Sequence, residues 1–368
     1  MSRNTGSVAS SDSSWLKLYA AVAMLPLTLA ACGGGGGGGG SPAPAPTPTP
    51  TPAPAPTPPA PAPAPIGAGT TWADVAVTGG NLTAVDYADS RFVAVSDTGT
   101  AITSTDAATW TALTPLSSNV GTDHLKAYAI THLGTTYVAA GSISSAPYTT
   151  TVGAVASSSD GLTWTMGTLP AGATPIHGLI AGNAKLIGLG ETAHLYSSTD
   201  GSTWSALTPL SAPAGLPAIG TLNAGAYGNN AYVVVGDNGY FAFSTNGTAW
   251  EAGQVVTSAG SGVNMHGVAW TGSMFVAVGD NAAITTSTNG TAWSTLKTSA
   301  ISGALRSVAV SSSGTIVVVG DSGIETSTDG STWTARNASG VAALDGVAFG
   351  NGEFVAVGAS NAMKVSSN

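Results

Sequence analysis

From Gly67 onward the apolar positions fall in short runs that recur along the chain: FVAVSD at 92–97, YVAAGS at 137–142, LIGLGE at 186–191, YVVVGD at 232–237, FVAVGD at 275–280, IVVVGD at 316–321 and FVAVGA at 354–359. Apolar runs this short, rich in Val and ended by Gly or Ser, predict strands buried on both faces. A weaker strand precedes several of them, as in GVAW at 267–270, SVAV at 307–310 and GVAF at 346–349. After them comes a polar box ending in Trp: TSTDAATW at Trp110, SSSDGLTW at Trp164, SSTDGSTW at Trp204, FSTNGTAW at Trp250, TSTNGTAW at Trp293 and TSTDGSTW at Trp333. Asp-Gly and Asn-Gly between β-favouring runs predict tight hairpin turns, because the turn needs positive φ. Counting the strand that begins at each Trp, every repeat of about 43 residues holds four strands, which is the plan of a propeller blade.

The ends of the repeat region complete one another. KVSSN at 364–368 is the first half of a box, and TTW at 70–72 is the second half. One blade is therefore expected to be shared between them, with the strand near Trp72 paired to the strand near Val365, leaving no exposed sheet edge. The expected fold is all-β: a seven-bladed propeller of four-stranded antiparallel blades over residues 67–368.

The residues before it read differently. Arg3 and Lys17 precede an apolar run from Leu18 to Ala31 that suits the core of an export signal and is short for a membrane span. The run ends Leu29-Ala30-Ala31-Cys32, which resembles the lipobox of bacterial lipoproteins, and Cys32 is the one cysteine of the chain. The resemblance implies a signal peptide over 1–31 and a lipid anchor on Cys32. Residues 32–66 then form a linker, with eight glycines from Gly33 to Gly40 followed by a Pro-Ala and Pro-Thr tract to Pro65. Glycine supplies a swivel, and dense proline an extended polyproline spacer. Gly33 is not the Asp of the inner-membrane retention signal known from enterobacterial sorting, so the outer membrane is favoured.

Composition narrows the function. Only 7% of residues are charged and the formal net charge is −9, which argues against nucleic acid as partner. A single cysteine excludes an intramolecular disulfide. The glycine octet runs into proline rather than a helix, so it is no phosphate loop. No cofactor and no metal are expected; His177 and His266 form the one pair that a metal would find, and His124, His132 and His194 read as loop or surface residues.

The boxes resemble those of the Asp-box propellers, also called bacterial neuraminidase repeats, which include sialidases, sortilin-like receptors and the photosystem II assembly and stability factors. The resemblance covers 67–368, although the box is one residue shorter here and Asn246 and Asn289 stand for Asp in two copies. It implies that Asp106, Asp160, Asp200 and Asp329 serve the turn, on the face opposite the ligand site. On the other face, alignment of the blades places one polar residue before each innermost strand: Thr83, Lys126, His177, Asn223, His266, Arg306 and Asp345. Asp97, Glu191, Asp237, Asp280 and Asp321, after the Val-rich strands, are candidates for an additional rim. Together they would interleave basic and acidic groups around one funnel, which suits a polar ligand or a protein surface.

A sialidase would need three arginines on the substrate carboxylate. The domain offers Arg91, Arg306 and Arg336, and Arg91 falls on the box face, so that set fails. The expectation is a lipid-anchored, non-catalytic scaffold that binds an envelope protein or glycan and meets the membrane through Cys32, the photosystem factors being the analogy. The alternatives are a glycan-processing hydrolase using acids at the channel mouth and a structural surface protein without a ligand. Three longer segments, 115–124, 144–152 and 209–217, have no assigned role.

Overall fold

The computed structural model describes residues 68–367, except 79, 112, 118–123, 145–150, 257–261 and 337–341. The expected signal peptide, the Cys32 anchor and the linker lie outside the described residues. Seven four-stranded antiparallel sheets follow one another, each in simple meander order. In the first blade the strands are Leu82–Ala88, Arg91–Ser96, Thr100–Ser104 and Thr114–Pro115, from the axis outward. The seventh blade takes Leu344–Gly350, Glu353–Gly358 and Met363–Ser367, and adds Thr71–Asp74 as its outermost strand. Ala73 stands opposite Val365 and Trp72 opposite Ser366, so the shared blade forms as expected.

The Val-rich second strands are buried on both faces because each sheet is packed between two others: Phe92, Val93, Ala94 and Val95 are all 0% exposed. Alternate residues therefore serve alternate interfaces. Val93 and Val95 meet Tyr137 and Ala139 of the second blade, while Phe92 and Ala94 meet Val355 and Val357 of the seventh. Near the axis, the aromatic residue toward the end of an inner strand lies over the last glycine of the preceding inner strand. A Cβ on Gly228 would come within 2.1 Å of the Trp270 ring, and one on Gly350 within 2.0 Å of the Tyr87 ring. The Gly350–Tyr87 contact repeats this packing across the junction of the seventh and first blades.

The boxes are turns held by a small hydrogen-bond knot. In the third blade the Ser198 hydroxyl donates to Asp200 Oδ1 at 2.9 Å and accepts from Gly201 N at 2.9 Å, and the same carboxylate oxygen accepts from Ser202 N and Thr203 N at 2.8 Å each. Trp204 Nε1 donates back to Gly201 O at 3.1 Å. Asn246 reproduces the arrangement through its amide oxygen, accepting from Thr248 N and Ala249 N at 2.9 Å each. Gly201 needs φ +75° and lies against Val138 of the previous blade, so a side chain there is both strained and crowded. The first box carries Ala107 at this position with φ 58°.

The 144–152 segment is in part strand. Ser144 pairs with Thr151 and Ile143 with Val152, so the extra length of the second blade extends its middle hairpin beyond its neighbours.

Backbone N–H donors of the turn, first that of the residue before the Trp, hold the Asp160, Asp200 and Asp329 carboxyls below their ordinary value of 3.8, and Asp106 is lowered in the same way. A carboxyl lowered by folding stabilises the native state above its unfolded pKa and loses that contribution as pH falls through the folded one. Replacing all four by Asn, which two natural boxes already use, is expected to flatten the fall of the melting temperature below about pH 4. Thermal melts from neutral to acid pH check this; a variant whose curve falls as steeply as the parent's contradicts it.

Candidate functional site

Each inner strand carries a one-residue register shift near its start: between Leu82 and Ala84, Ala127 and Ala129, Ile176 and Gly178, Leu222 and Ala224, Met265 and Gly267, Leu305 and Ser307, and Leu344 and Gly346. A residue skipped by the ladder bulges, and its side chain is re-aimed. The skipped residues are Thr83, Tyr128, His177, Asn223, His266, Arg306 and Asp345. All seven line one cavity of about 340 Å³ at the mouth of the channel.

Six of these are the residues expected from the sequence, placed within the inner strands rather than before them. Lys126 is the correction. It is exposed and stands two residues earlier, opposite Ser142, while Tyr128 takes the ring position of the second blade. Leu125-Lys126-Ala127 imitates Leu305-Arg306-Ser307, and this imitation shifts the alignment by one pleat. Hairpin spacing would have found Tyr128: ring residue and first turn residue are six apart in Thr83 to Asp89, His177 to Asn183 and Asp345 to Asn351, as in Tyr128 to Gly134.

The acidic rim residues grip the ring residues of their own blades. His177 Nε2 lies 3.1 Å from Glu191 Oε1, His266 Nε2 2.7 Å from Asp280 Oδ1, and Asn223 Nδ2 donates to Asp237 Oδ1 at 3.0 Å. Tyr128 makes the equivalent contact with Ser142 at 2.9 Å, and its ring stacks on His177 at 5.1 Å and 6°. Arg306 donates through Nε to Asp321 Oδ1 at 2.8 Å. The residue positioned to clasp Asp345 in the seventh blade is Ala359, so Asp345 leans instead on Arg306, 3.5 Å away. Asp97 receives Asn81 Nδ2 at 3.0 Å, whereas Thr83 turns its hydroxyl to Ala127 O at 2.8 Å.

Most rim acids are also tied to backbone or side-chain donors. Thr221 N donates to Asp237 Oδ2 and Ala304 N to Asp321 Oδ2, both at 2.9 Å, and Asn264 Nδ2 to Asp280 Oδ2 at 3.0 Å. Burial acts to raise the Asp321 carboxyl, but the bonds from Ala304 and Arg306 outweigh it and hold the group below its ordinary value. Burial raises the Asp345 carboxyl; Arg306 opposes this, and Asp321 and Asp97 add to it. The rim and ring together thus hold six carboxyls against one guanidinium, rather than an even interleaving of signs.

His132 lies in the second blade's inner strand, not in a loop. Its Nδ1 is 2.7 Å from Asp86 Oδ2 of the first blade, and that hydrogen bond raises its pKa. Among the described residues, no group of three or more His, Cys, Asp or Glu is arranged to hold a metal ion.

Residues 78–224 match the family described as "DUF6242 beta propeller domain". No curated protein sequence matches the chain. Among solved structures, YCF48 bound to a D1 peptide is 17% identical, with a TM-score of 0.60 over 81% of this chain and 95% of that one. YCF48 from Cyanidioschyzon merolae is 14% identical, with a TM-score of 0.59 over 80% and 98% of the two chains. A catalytically inactive virginiamycin B lyase from Staphylococcus aureus with quinupristin is 11% identical, with a TM-score of 0.64 over 81% and 99%. Identities this low speak for the fold alone, and the fold is a seven-bladed propeller in which binding proteins and enzymes both occur.

Asp345 offers a stability test. A carboxyl raised by folding ionises more readily in the unfolded chain, so it costs stability above its unfolded pKa and nothing below it. Asp345→Asn is expected to raise the melting temperature by about 1 °C at neutral pH and to leave it unchanged near pH 3. Melting curves across that range decide; a gain that does not depend on pH contradicts the assignment.

Proposed function

We propose that this chain is a lipid-anchored, non-catalytic propeller of the bacterial envelope, acting as a binding or assembly scaffold for a protein or glycan seated at the seven-residue mouth. The observation that carries the reading is the convergence of one bulged side chain from every blade on a single concave surface, most of them clasped by an acid or hydroxyl of the same blade. Groups fixed in this way present a pre-ordered recognition surface and lose little side-chain freedom on binding. The Cys32 anchor and the Gly-Pro spacer would hold this surface away from the membrane. A propeller of similar fold is described with a bound peptide, which is consistent with such a use.

A second reading, a glycan-processing hydrolase, draws on one observation. Asp345 is raised and Asp321 lowered, and both contact Arg306. Two carboxyls pushed apart in pKa resemble an acid and base pair.

One experiment separates them. With a photo-crosslinking residue at Asn223 in whole cells, a scaffold yields a defined adduct that falls about ten-fold with Tyr128→Ala, a loss of about 1.4 kcal/mol, while a crosslinker at Asp89 on the opposite face yields none. A hydrolase instead turns over a member of a glycan panel and loses that turnover with Asp345→Asn. Equal adducts from both faces contradict a mouth-directed scaffold. Cys32→Ser is expected to move the protein from the membrane to the soluble fraction, and retention in the membrane contradicts the anchor.

A further inference from the structure

We infer that the mouth recognises a cationic peptide segment, one that offers lysine ammonium or arginine guanidinium groups. The inference rests on the scaffold reading and deepens it.

Hydrogen-bond direction carries it beyond the excess of acids. An ionised carboxylate only accepts, so where Glu191 and Asp280 face His177 and His266 the proton sits on each Nε2. No described residue bonds to Nδ1 of either ring. Asn223 uses its amide N–H groups on Asp237 Oδ1 and on Met265 O, both at 3.0 Å, and no described residue donates to its Oδ1. Thr83 gives its hydroxyl proton to Ala127 O. Arg306 gives Nε and Nη2 to Asp321. No described residue donates to Glu191 Oε2 or Asp345 Oδ2. Apart from the remaining N–H groups of Arg306 and the hydroxyl pair of Tyr128 and Ser142, the ring's donors are spent on the scaffold itself, and a visitor to the cavity of about 340 Å³ and its rim of carboxyls meets mostly acceptors.

A ligand that satisfies acceptors must bring donors, and ammonium and guanidinium groups bring three and five N–H donors with no competing acceptor. The stacked Tyr128 and His177 rings add an aromatic plate against which a guanidinium can lie. An acidic or acceptor-rich ligand meets repulsion and unpaired lone pairs on the same surface.

The test uses the full chain and three fluorescein-labelled hexapeptides at about 150 mM salt, where distant charges are screened: Gly-Arg-Ser-Lys-Arg-Gly, its Gln-Ser-Asn-Gln counterpart and its Glu-Ser-Asp-Glu counterpart. Fluorescence anisotropy is expected to show the cationic peptide binding about ten-fold more tightly than the neutral one, with the acidic one weakest. The paired substitution Glu191→Gln with Asp345→Asn should weaken the cationic peptide about five-fold or more. The paired substitution Asp89→Asn with Glu251→Gln removes the same charge away from the mouth and should change binding less than about two-fold. Equal affinity for the neutral and cationic peptides overturns the inference, as does an equal loss in both variant pairs. No peptide binding combined with a persisting Asn223 adduct in cells overturns the cationic class and leaves the scaffold standing. Loss of that adduct as well overturns both.

Discussion

The four-residue pairing of Thr71–Asp74 with Met363–Ser367 is the constraint on which the rest depends. Without it the seventh blade would have three strands and an open edge, a template for pairing with other chains. The closure is reinforced at three depths. At the outside, Lys364 Nζ donates to Asp74 Oδ1 at 2.6 Å. On the mouth face, Asn361 Oδ1 accepts from Gly80 N at 2.7 Å and Asn81 Oδ1 from Ser360 N at 3.0 Å. Near the axis, Tyr87 of the first blade lies over Gly350 of the seventh. Sequence-distant contacts of this kind form only after their loop-closure entropy has been met, so the ring is cooperative: each interface is complete only when the last one is.

Closure also makes the mouth. A bulge near the start of seven equivalent strands places seven side chains on one circle only if the strands themselves lie on a circle. The backbone device is the same in every blade, whereas the residue varies from Thr to Tyr, His, Asn, Arg and Asp. Variation at a constant address is how a repeat fold acquires a particular recognition surface without altering its core. The clasps contribute orientation more than stability, since a half-exposed pair such as Arg306 with Asp321 is worth about 0–1 kcal/mol.

The architecture was legible because two strong signals recur: Val-rich runs that only a doubly buried strand tolerates, and Asp-Gly or Asn-Gly turns that only positive φ satisfies. The ring was legible where the repeat is regular, from His177 through Asp345. It failed at Lys126, where a locally similar tripeptide outweighed the hairpin spacing that marks Tyr128. The clasps were hidden for another reason. His177 with Glu191, Asn223 with Asp237 and His266 with Asp280 are each fourteen residues apart, a spacing that means nothing until two antiparallel strands bring the ends together. Asp345 could be named from the sequence, but its raised carboxyl follows first from burial and then from Asp321 and Asp97 against the opposing Arg306, neighbours that come from two other blades.

Closure is tested most directly by a cross-strand disulfide. Ala73 and Val365 face one another in antiparallel register, where Cα atoms lie about 4.5–5.5 Å apart, within the span a disulfide accepts. In a Cys32→Ser background, Ala73→Cys with Val365→Cys should oxidise to a monomeric, faster-migrating species on a non-reducing gel and should melt at a higher temperature than its reduced form. Two thiols that stay free under oxidation, or that yield only intermolecular dimers, would contradict a ring closed by its two end strands.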